Sequence, residues 1–392
     1  MYLTSLNKSK RNNFLAFGPP LIEKDEIGEV VKTLRSGWLS TGPKVERFEK
    51  LFREYVGSKH ACALNSCSAG LHLSLLVAGV NQGDEVITTP FTFAATANAI
   101  IHVGAKPVFI DIEIDTMNIN PDLIERKITS RTKAIIPVHF AGRPCNMNKI
   151  MAIARKHKLV VIEDAAHAIG AEYHGKKIGS IGDLTCFSFY ANKNITTGEG
   201  GMVTTNNDEW QRRIRMLSFH GINKGPWQRY SEDDLQHYTV DFPGYKYNMM
   251  DLQAAIGIHQ LRKIEKFLKR REEIWSIYDE AFKNLPVNTP VHVKPNIRHA
   301  RHLYTLILDI KKIKMSRDRL RKALHEENIG TGVHFVSIHL HPYYQKAFSY
   351  KRGNFPNAEY ISDRTISLPL SPSLSDKDLQ DVVSSVKKVL NN

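Results

Sequence analysis

The segment FSFYANKNITTGEGG, residues 187–201, places a lysine between an aromatic run and a cluster of glycines. We expect the amine of Lys193 to be partly withdrawn from water, because aromatic side chains precede it closely. Burial disfavours a charged amine, and the neutral amine is the form that Schiff-base chemistry requires. The hydroxyls of Ser188, Thr196 and Thr197 suit an anionic, planar ligand beside the lysine. A lysine that merely ends a buried strand fits the same residues, so this segment leaves both interpretations open.

A second segment, LVVIEDAAHAIGA at 159–171, ends an apolar strand pattern in acidic residues. In open α/β sheets, side chains just past the carboxyl ends of strands face the ligand crevice, and Asp164 takes such a position. An aspartate there is also a common helix cap, which is the alternative use of this residue. Pyridoxal phosphate requires a Schiff-base lysine and a carboxylate that keeps its ring nitrogen protonated. Asp164 followed by Lys193 meets both requirements.

The composition indicates a globular chain with room for a large domain and a smaller one. It has 392 residues, of which 42% are hydrophobic, and a formal charge of +14. The positive charge raises the question of a nucleic-acid partner, but the basic residues are dispersed and no DNA-reading motif accompanies them. The densest basic run, 262–271, lies in a helical pattern and indicates a solvated helix face. We therefore expect no nucleic-acid partner.

The four cysteines lack metal-binding or disulfide spacing, which is typical of a reducing compartment. No apolar run reaches the roughly 18 to 20 residues that a membrane-spanning helix needs. The first residues, MYLTSLNKSKRNNF, lack the apolar stretch of a signal peptide. These features predict a cytoplasmic protein without membrane contact.

Hydrophobic periodicity predicts alternating strands and helices, which is typical of a largely parallel sheet. The predicted strands are 61–64, 85–88, 107–110, 134–138 and 159–162, and the predicted helices include 23–35, 45–55, 123–128 and 147–157. A long helical stretch at 250–285 leads to a strand at 303–308, a helix at 317–327, a strand at 331–335 and a terminal helix from 375.

The turn after the first predicted strand contains small hydroxyl residues at the start of an apolar helix. Its sequence is SCSA, residues 66–69. The first amides of a helix are free and carry the positive end of the helix dipole, so such a turn can hold a phosphate. Simple N-capping by Ser66 or Ser68 is the alternative.

Seven segments in order resemble the DegT/DnrJ/EryC1/StrS family of pyridoxal-phosphate-dependent nucleotide-sugar aminotransferases. They are SGWLSTGPKVERFE (36–49), GDEVITTPFTFAAT (83–96), VIEDAAHAIGA (161–171), FSFYANKNITTGEGG (187–201), GYKYNMMDLQAAIG (244–257), IGTGVHF (329–335) and ISLPLSP (366–372). The resemblance implies an α/β protein of fold type I, similar to aspartate aminotransferase. It further implies a flexible arm at 1–14, a large cofactor-binding domain at 15–250, and a bridging helix with a small domain at 251–392.

The resemblance also assigns the cofactor contacts. Lys193 would form the Schiff base and Asp164 would contact the ring nitrogen, so these two are the catalytic candidates. The full set of matching positions is Ser66, Cys67, Ser68, Ala69, Phe93, Asp164, His167, Ser188, Lys193 and Asn248. Within it the 66–69 turn and Ser188 would hold the phosphate, Phe93 would stack on the ring, and His167 would contact the ring hydroxyl. Asn248 would reach the phosphate of a neighbouring subunit, which implies a homodimer with shared sites.

The activity implied is transfer of an amino group from L-glutamate to the keto carbon of a nucleotide-linked sugar, with 2-oxoglutarate released. The segments are most similar to members that aminate C4 of a UDP-linked 4-keto sugar, for cell-surface glycans such as lipopolysaccharide or O-antigen. Candidate substrate contacts are Trp38, Arg229, His334 and His339. No metal site is expected, because the pair His339 and His341 lacks a third ligand. Amination at C3 or of a cyclic polyol, and a non-catalytic cofactor-binding regulator, are the alternatives.

Overall fold

The computed structural model describes residues 11–223 and 237–391. Its strands are β1 (His60–Leu64), β2 (Glu85–Thr88), β3 (Lys106–Phe109), β4 (Thr132–Ile135), β5 (Val160–Asp164), β6 (Glu172–Tyr173), β7 (Lys176–Lys177), β8 (Leu184–Ser188), β9 (Gly201–Thr205), β10 (Val287–Asn288), β11 (Ile297–Arg298), β12 (Tyr304–Leu308) and β13 (Thr365–Leu368). Its helices are α1 (Lys24–Arg35), α2 (Pro43–Val56), α3 (Cys67–Val77), α4 (Ala94–His102), α5 (Met147–His157), α6 (Asp208–Ser218), α7 (Asp251–Arg262), α8 (Ile264–Phe282), α9 (Ile310–Ile313), α10 (Arg317–Glu326), α11 (Pro342–Phe348), α12 (Pro356–Ser362) and α13 (Asp376–Asn391). Within these residues, no helix is both long and apolar enough to cross a membrane.

A seven-stranded sheet in the order β1-β9-β8-β5-β4-β2-β3 forms the centre of the large domain. Strand β9 pairs antiparallel with both β1 and β8, and the other neighbours pair in parallel. The predicted α/β class with a mostly parallel sheet is therefore confirmed. Helices cover both faces, so the strands are buried almost continuously, as parallel strands require.

The register of this sheet gathers three strand ends at one edge. Gly201, at the start of β9, lies opposite Leu64 of β1 and opposite Ser188 of β8. Asp164, at the end of β5, lies opposite Cys186 of β8. The residues that follow β1, β5 and β8 therefore meet, which is where a ligand crevice forms in such sheets.

The smaller domain is built on the three-stranded sheet β10-β12-β13. Its core contains Trp275, Tyr278 and Phe282 of α8 and Tyr304 of β12. The first turns of α8 instead pack in the large-domain core, through residues such as Phe267. Helix α8 therefore bridges the two cores, whereas α7 packs with the large domain. The predicted domain boundary near residue 250 stays a prediction.

The segment before α1 lies along the small domain where it is described. Leu15 is buried in the small-domain core and bridges to Ile329. Arg11 lies 2.6 Å from Asp378 and 2.9 Å from Asp381 at α13. Of the predicted flexible arm, residues 11–14 are thus docked, and residues 1–10 lie outside the described part.

Three predicted elements differ from the structure. The stretch 250–285 is two helices, which meet at Lys263, and the amine of Lys263 lies 2.9 Å from both Glu23 and Glu26 at the start of α1. The predicted helix at 123–128 is replaced by two short 3-10 turns. The predicted strand at 331–335 is wrong, since it forms only one bridge, between Gly332 and Ser367.

Candidate active site

Lys193 lies in the loop between β8 and β9, above the edge where the strand ends meet. Its side chain is half-buried, and burial lowers the pKa of its amine from 10.5 to about 8. The negative charge of Asp164 acts in the opposite direction and only partly offsets this effect. Burial alone therefore makes a usable fraction of the amine neutral near pH 7.5, and no neighbouring base is needed to take its proton.

Backbone hydrogen bonds fix the shape of this loop. Phe189 donates to Gly200 O at 2.9 Å, and Lys193 donates to Tyr190 O at 2.9 Å. The hydroxyl of Thr196 donates to Phe189 O at 3.1 Å, and that of Thr197 donates to Glu199 O at 2.6 Å. The expectation that these two hydroxyls face a ligand is therefore wrong, because both are used to close the loop.

Asp164 is 6% exposed at the end of β5. Its Oδ2 accepts a 2.7 Å hydrogen bond from the Thr96 hydroxyl, and its Oδ1 accepts from the amide of Ala166 at 3.1 Å. Burial raises the pKa of this carboxyl, while the two donors and the charge of Lys193 oppose the rise. A buried carboxylate of this kind is stabilised by a nearby cation, such as a protonated ring nitrogen.

The 66–69 turn forms the start of α3, as predicted for a phosphate site. Ser66 is the N-cap and its hydroxyl accepts the amide of Ala69 at 3.1 Å. The backbone N–H groups of Cys67 and Ser68 lie in the first turn of α3, where there is no preceding helical turn to supply a carbonyl acceptor. They are therefore available to an anion. A Cβ at Gly201 would lie 2.4 Å from the backbone of Ser66, so only glycine lets β9 approach this turn. Capping by Ser66 is therefore observed, and binding of a phosphate by the free amides stays a prediction.

His167 is buried, and burial holds the pKa of its imidazole well below 6.5. The ring is therefore neutral. Its Nδ1 accepts the amide of Ala141 at 3.3 Å, which leaves the ring proton on Nε2. His167 thus offers one N–H donor, which fits the predicted contact to an oxygen on a bound ring.

A second histidine, His302, packs against the first with the ring centroids 4.4 Å apart. Its Nδ1 lies 3.1 Å from Oδ1 of Asn194, the residue after Lys193. Because burial keeps the imidazole neutral, this Nδ1 carries the proton and donates to Asn194. The amide of Asn194 in turn donates to Ala300 O at 2.7 Å. This pair ties the Lys193 loop to the 300–302 segment, and nothing in the sequence pattern pointed to it.

Two predicted contacts lie in the same region as the histidines. The ring of Phe93 is 65% exposed at the start of α4 and lies 6.3 Å from the ring of Phe335. His334 lies close enough for the charge of Lys193 to act on it, and burial lowers its pKa to about 4. Its Nδ1 lies 2.9 Å from the Ser367 hydroxyl. Phe93 and His334 thus join the Lys193 group.

Three of the remaining predicted residues bond to backbone or side chains nearby. Ser188 is half-buried and its hydroxyl accepts the amide of Tyr190 at 3.3 Å. The amide of Asn248 donates to Thr41 at 2.6 Å. The indole of Trp38 donates to Thr41 O at 3.2 Å. Arg229 lies outside the described residues.

His339 does not join the Lys193 group. It is fully buried, its Nε2 lies 2.9 Å from Glu359, and its ring packs against Phe355. The contacts that the structure describes for it make it a packing residue of the smaller-domain side, so its assignment to the substrate is not supported. Its neighbour His341 is partnered with Val336 O at 3.4 Å.

The residues brought together fit pyridoxal phosphate. Phe93 is the most exposed large hydrophobic side chain among the described residues, and its face gives a platform for a flat ring. Asp164 supplies a buried carboxylate, the start of α3 supplies free amides, and Lys193 supplies a partly neutral amine. These four groups match the ring face, the ring nitrogen, the phosphate and the aldehyde of the cofactor.

Comparison with known proteins agrees with this geometry. The model of the DegT/DnrJ/EryC1/StrS aminotransferase family matches residues 20–387. Uncharacterized protein MJ1066 of Methanocaldococcus jannaschii is 56% identical over 381 residues, which are 97% of this chain and 99% of that protein. The spore coat polysaccharide biosynthesis protein SpsC of Bacillus subtilis is 54% identical over 382 residues, 97% of this chain and 98% of SpsC.

Solved structures extend the comparison to the fold and the cofactor. Spr1654 of Streptococcus pneumoniae, solved in a PLP form and a PMP form, superposes with a TM-score of 0.89 at 34% identity, covering 96% of this chain and 99% of that one. Helicobacter pylori PseC, an aminotransferase involved in the biosynthesis of pseudoaminic acid, gives 0.89 at 32% identity, with 97% and 100% covered. The chain therefore belongs to the DegT/DnrJ/EryC1/StrS family and is a pyridoxal-phosphate-dependent sugar aminotransferase.

Proposed function

We propose that the protein transfers the amino group of L-glutamate to C4 of a nucleotide-linked 4-keto sugar, and that the product enters a cell-surface glycan. The observation that carries the catalytic part is that the buried Asp164 carboxylate lies near enough for its charge to act on Lys193, whose amine has a pKa lowered by burial to about 8. The sugar part rests on the resemblance of the site segments and on the relatives SpsC and PseC, whose names refer to polysaccharide and pseudoaminic acid biosynthesis.

Lys193 has two tasks in this proposal. It would hold the cofactor through a covalent bond at rest, and its freed amine would move a proton to and from the substrate carbon. The second task needs an amine that can be both base and acid near the working pH, and a pKa of about 8 suits it. Bound pyridoxal phosphate supplies the electron sink that makes this proton labile.

Asp164 would contact the ring nitrogen of the bound cofactor, and its carboxylate in the ionised form would keep that nitrogen protonated. The Thr96 hydroxyl and the Ala166 amide support the ionised form, each with one hydrogen bond. These two hydrogen bonds also fix the plane of the Asp164 carboxylate. Its remaining lone pairs therefore point in a fixed direction, and the carboxylate need not reorient during the reaction. We assign Thr96 as a positioning residue because it acts through Asp164.

The neutral histidines near Lys193, His167 and His334, have a different role from Asp164. His167 donates from Nε2, and the pKa of His334 is too low for it to carry charge near pH 7. A positive charge on these histidines would lower the pKa of the Lys193 amine further. It would also compete with Asp164 in binding the cofactor. A neutral wall leaves Lys193 as the group that titrates in the working range.

The functional unit is proposed to be a homodimer in which Asn248 completes the phosphate site of the partner. Asn248 adjoins the end of β1, where it bridges to Leu64. It is thus held at the sheet edge that carries the phosphate turn, a place from which an interface across that edge would present it to a second chain.

The test of the reaction is a spectroscopic half-reaction assay. The holoenzyme is treated with L-glutamate, the amine form of the cofactor is isolated by desalting, and nucleotide-linked sugars with a 4-keto or a 3-keto group are added singly, each as UDP, GDP or dTDP forms. We expect a UDP-linked 4-keto sugar to restore the aldehyde form and to yield a 4-amino sugar by mass spectrometry and NMR. Restoration by 3-keto sugars or cyclic polyol ketones alone would overturn the proposed substrate.

A further inference from the structure

His302 is a buried histidine that the reaction steps assigned above do not use. It lies just before β12 and is 3% exposed. Burial holds the pKa of its imidazole well below 6.5, so the ring is neutral. A buried polar ring is normally hydrogen-bonded, and each partner that it holds is fixed in return. The partners of His302 therefore indicate its role.

The orientation of Asn194 decides which nitrogen of His302 carries the proton. The amide nitrogen of Asn194 faces Ala300 O at 2.7 Å, because a carbonyl oxygen needs a donor. The Oδ1 atom is therefore the end that faces His302, and it lies 3.1 Å from Nδ1. Since an amide oxygen only accepts, Nδ1 of His302 must carry the proton and donate it. His302 thus holds Asn194 with a directed hydrogen bond.

This hydrogen bond constrains the residue next to the catalytic lysine. Asn194 is 4% exposed and is held at both ends of its side-chain amide, by His302 and by Ala300. Both partners belong to the 300–302 segment, which is more than a hundred residues further along the chain. Because Lys193 and Asn194 share a planar peptide unit, fixing one limits the positions that the other can take. The direction of the Lys193 side chain is therefore set in part from outside its own loop.

Ala141 connects His302 to the histidine expected to contact the cofactor ring. The amide of Ala141 donates to Nδ1 of His167 at 3.3 Å, and its carbonyl accepts the amide of His302 at 3.0 Å. The φ of Ala141 is +55°, a left-handed conformation that non-glycine residues seldom adopt. The two imidazole rings also pack directly, with centroids 4.4 Å apart. His302 is therefore coupled to His167 as well as to the Lys193 loop.

The main chain of the 300–302 segment is itself anchored on two sides. Nη1 of Arg271, on the bridging helix α8, lies 3.3 Å from His302 O and 3.2 Å from Leu370 O. The amide of Ala300 donates to Gly142 O at 2.9 Å. A side chain that grows from a fixed backbone can hold a neighbouring loop in place, as supporting residues around a site do. His302 therefore holds the Lys193 loop rather than following its movements.

We propose that His302 is a positioning residue of the amino-transfer reaction, which orients Lys193 through Asn194 and steadies the ring of His167. The inference rests on the proposed function, in which Lys193 holds the cofactor and moves the proton. A group that moves a proton must lie within hydrogen-bond reach of it, and small displacements reduce the rate strongly. His302 acts through these neighbours rather than on the reacting atoms.

Two substitutions separate the hydrogen bond of His302 from its ring. His302→Phe keeps a flat ring against His167 but has no donor, whereas His302→Asn keeps a donor near the place of Nδ1 and loses the ring. Each apoprotein is mixed with pyridoxal phosphate over a pH range that spans 8 and 10.5, and absorbance gives the rate of Schiff-base formation. Because the cofactor is the same throughout, a difference between the pH profiles reports on the protein.

In the wild type we expect the rate to rise with an apparent pKa of about 8, that of the buried Lys193 amine. His302→Phe releases the loop and exposes the amine to water, so the apparent pKa should move upward, toward 10.5. The Kd of pyridoxal phosphate should rise roughly 2- to 12-fold in this variant, the effect of one neutral hydrogen bond. His302→Asn should stay near the wild-type profile. A wild-type profile in His302→Phe would overturn the proposal.

The matched control is His299→Phe. His299 is also buried and lies just before the same segment, but its Nδ1 accepts the amide of Arg301 at 2.8 Å instead of holding Asn194. This variant should keep the wild-type pH profile and Kd. A shift as large as that of His302→Phe would mean that general loosening of the segment is the cause, and would overturn the specific role of His302.

Asn194→Ala removes the same hydrogen bond from its other end and serves if His302→Phe does not fold. It should shift the profile at least as far as His302→Phe, and the double variant should shift no further than Asn194→Ala alone, because both changes break one interaction. Additive shifts would overturn the route through Asn194. A wild-type protein that forms no Schiff base would instead overturn the proposed role of Lys193, so the two failures are distinct.

Discussion

The hydroxyl of Thr96 donates a 2.7 Å hydrogen bond to Oδ2 of Asp164, across the gap between the first turn of α4 and the end of β5. Because its single proton is used in this way, Thr96 accepts from the Thr92 hydroxyl, 2.8 Å away. Two buried threonines thus form a chain that ends on the carboxylate. The hydrogen bond from Thr96 favours the ionised carboxylate and so opposes burial, which raises the pKa of Asp164.

Replacing Thr96 by valine removes this support while preserving the shape of the side chain. The loss of a hydrogen bond to a charged group costs about 1.5–3 kcal/mol, so we expect kcat/KM to fall roughly 10- to 150-fold. Thr88→Val is the matched control, because Thr88 is also buried but bonds Ile136 O instead. A Thr96→Val enzyme as active as Thr88→Val would contradict the role of Thr96.

Phe93→Ala separates cofactor binding from folding. The side chain is 65% exposed, so its removal should change the free energy of unfolding of the apoprotein by less than about 0.5 kcal/mol. Loss of ring stacking should weaken pyridoxal phosphate binding by about 0.5–1.5 kcal/mol, or roughly 2- to 12-fold in Kd. Equilibrium dialysis gives the Kd, and urea unfolding gives the stability. Phe91→Ala is the contrast, because Phe91 is fully buried and its loss should cost about 3–5 kcal/mol of stability.

The lowered pKa of Lys193 predicts a pH-dependent stability in the apoprotein. The folded pKa is about 8 and the reference value is 10.5, so between these pH values the unfolded chain binds more protons. Stability contributed by this position therefore rises with pH from 8 to 10.5 and is at its lowest below pH 8. Lys193→Met lacks the titrating group. Relative to wild type it should be more stable at pH 7.5, with the difference shrinking toward pH 10.5 in urea unfolding, and a difference independent of pH would argue against a withdrawn amine.

Shared sites predict a specific complementation. In a mixed dimer of Lys193→Ala and Asn248→Ala chains, one site would carry both changes and the other neither, if Asn248 serves the partner. Coexpressed chains with two different tags, purified for both, should therefore show about half the wild-type activity per dimer, while each parent dimer shows little. If the mixed dimer is no more active than Asn248→Ala alone, Asn248 acts in its own chain.

The residues that sequence could predict are those whose chemistry depends on local neighbours. Lys193 and Asp164 follow strand ends and sit in distinctive segments, and the register of β5 and β8 places them on the same edge. The Ser66 turn was equally readable, because capping and anion binding both require the same small hydroxyl residues at a helix start.

The residues that sequence could not predict act through distant partners. Thr96 bonds a residue far along the chain, and His302 reaches Asn194 from the smaller domain, so neither contact leaves a local pattern. His339 shows the opposite error, since a histidine in a polar, aromatic segment proved to be buried against Glu359. Thr196 and Thr197 were misjudged because a hydroxyl beside glycines serves a tight loop as well as a ligand.

The central claim, that Lys193 carries the cofactor, is tested most directly by reducing the holoenzyme with sodium borohydride and mapping the modified peptide by mass spectrometry. Reduction makes the Schiff base permanent, so the account predicts one cofactor-derived mass increment per chain, located on Lys193 and absent when L-glutamate is added before the reductant. An increment on a different lysine, or an unmodified Lys193 peptide in a protein saturated with pyridoxal phosphate, would contradict it.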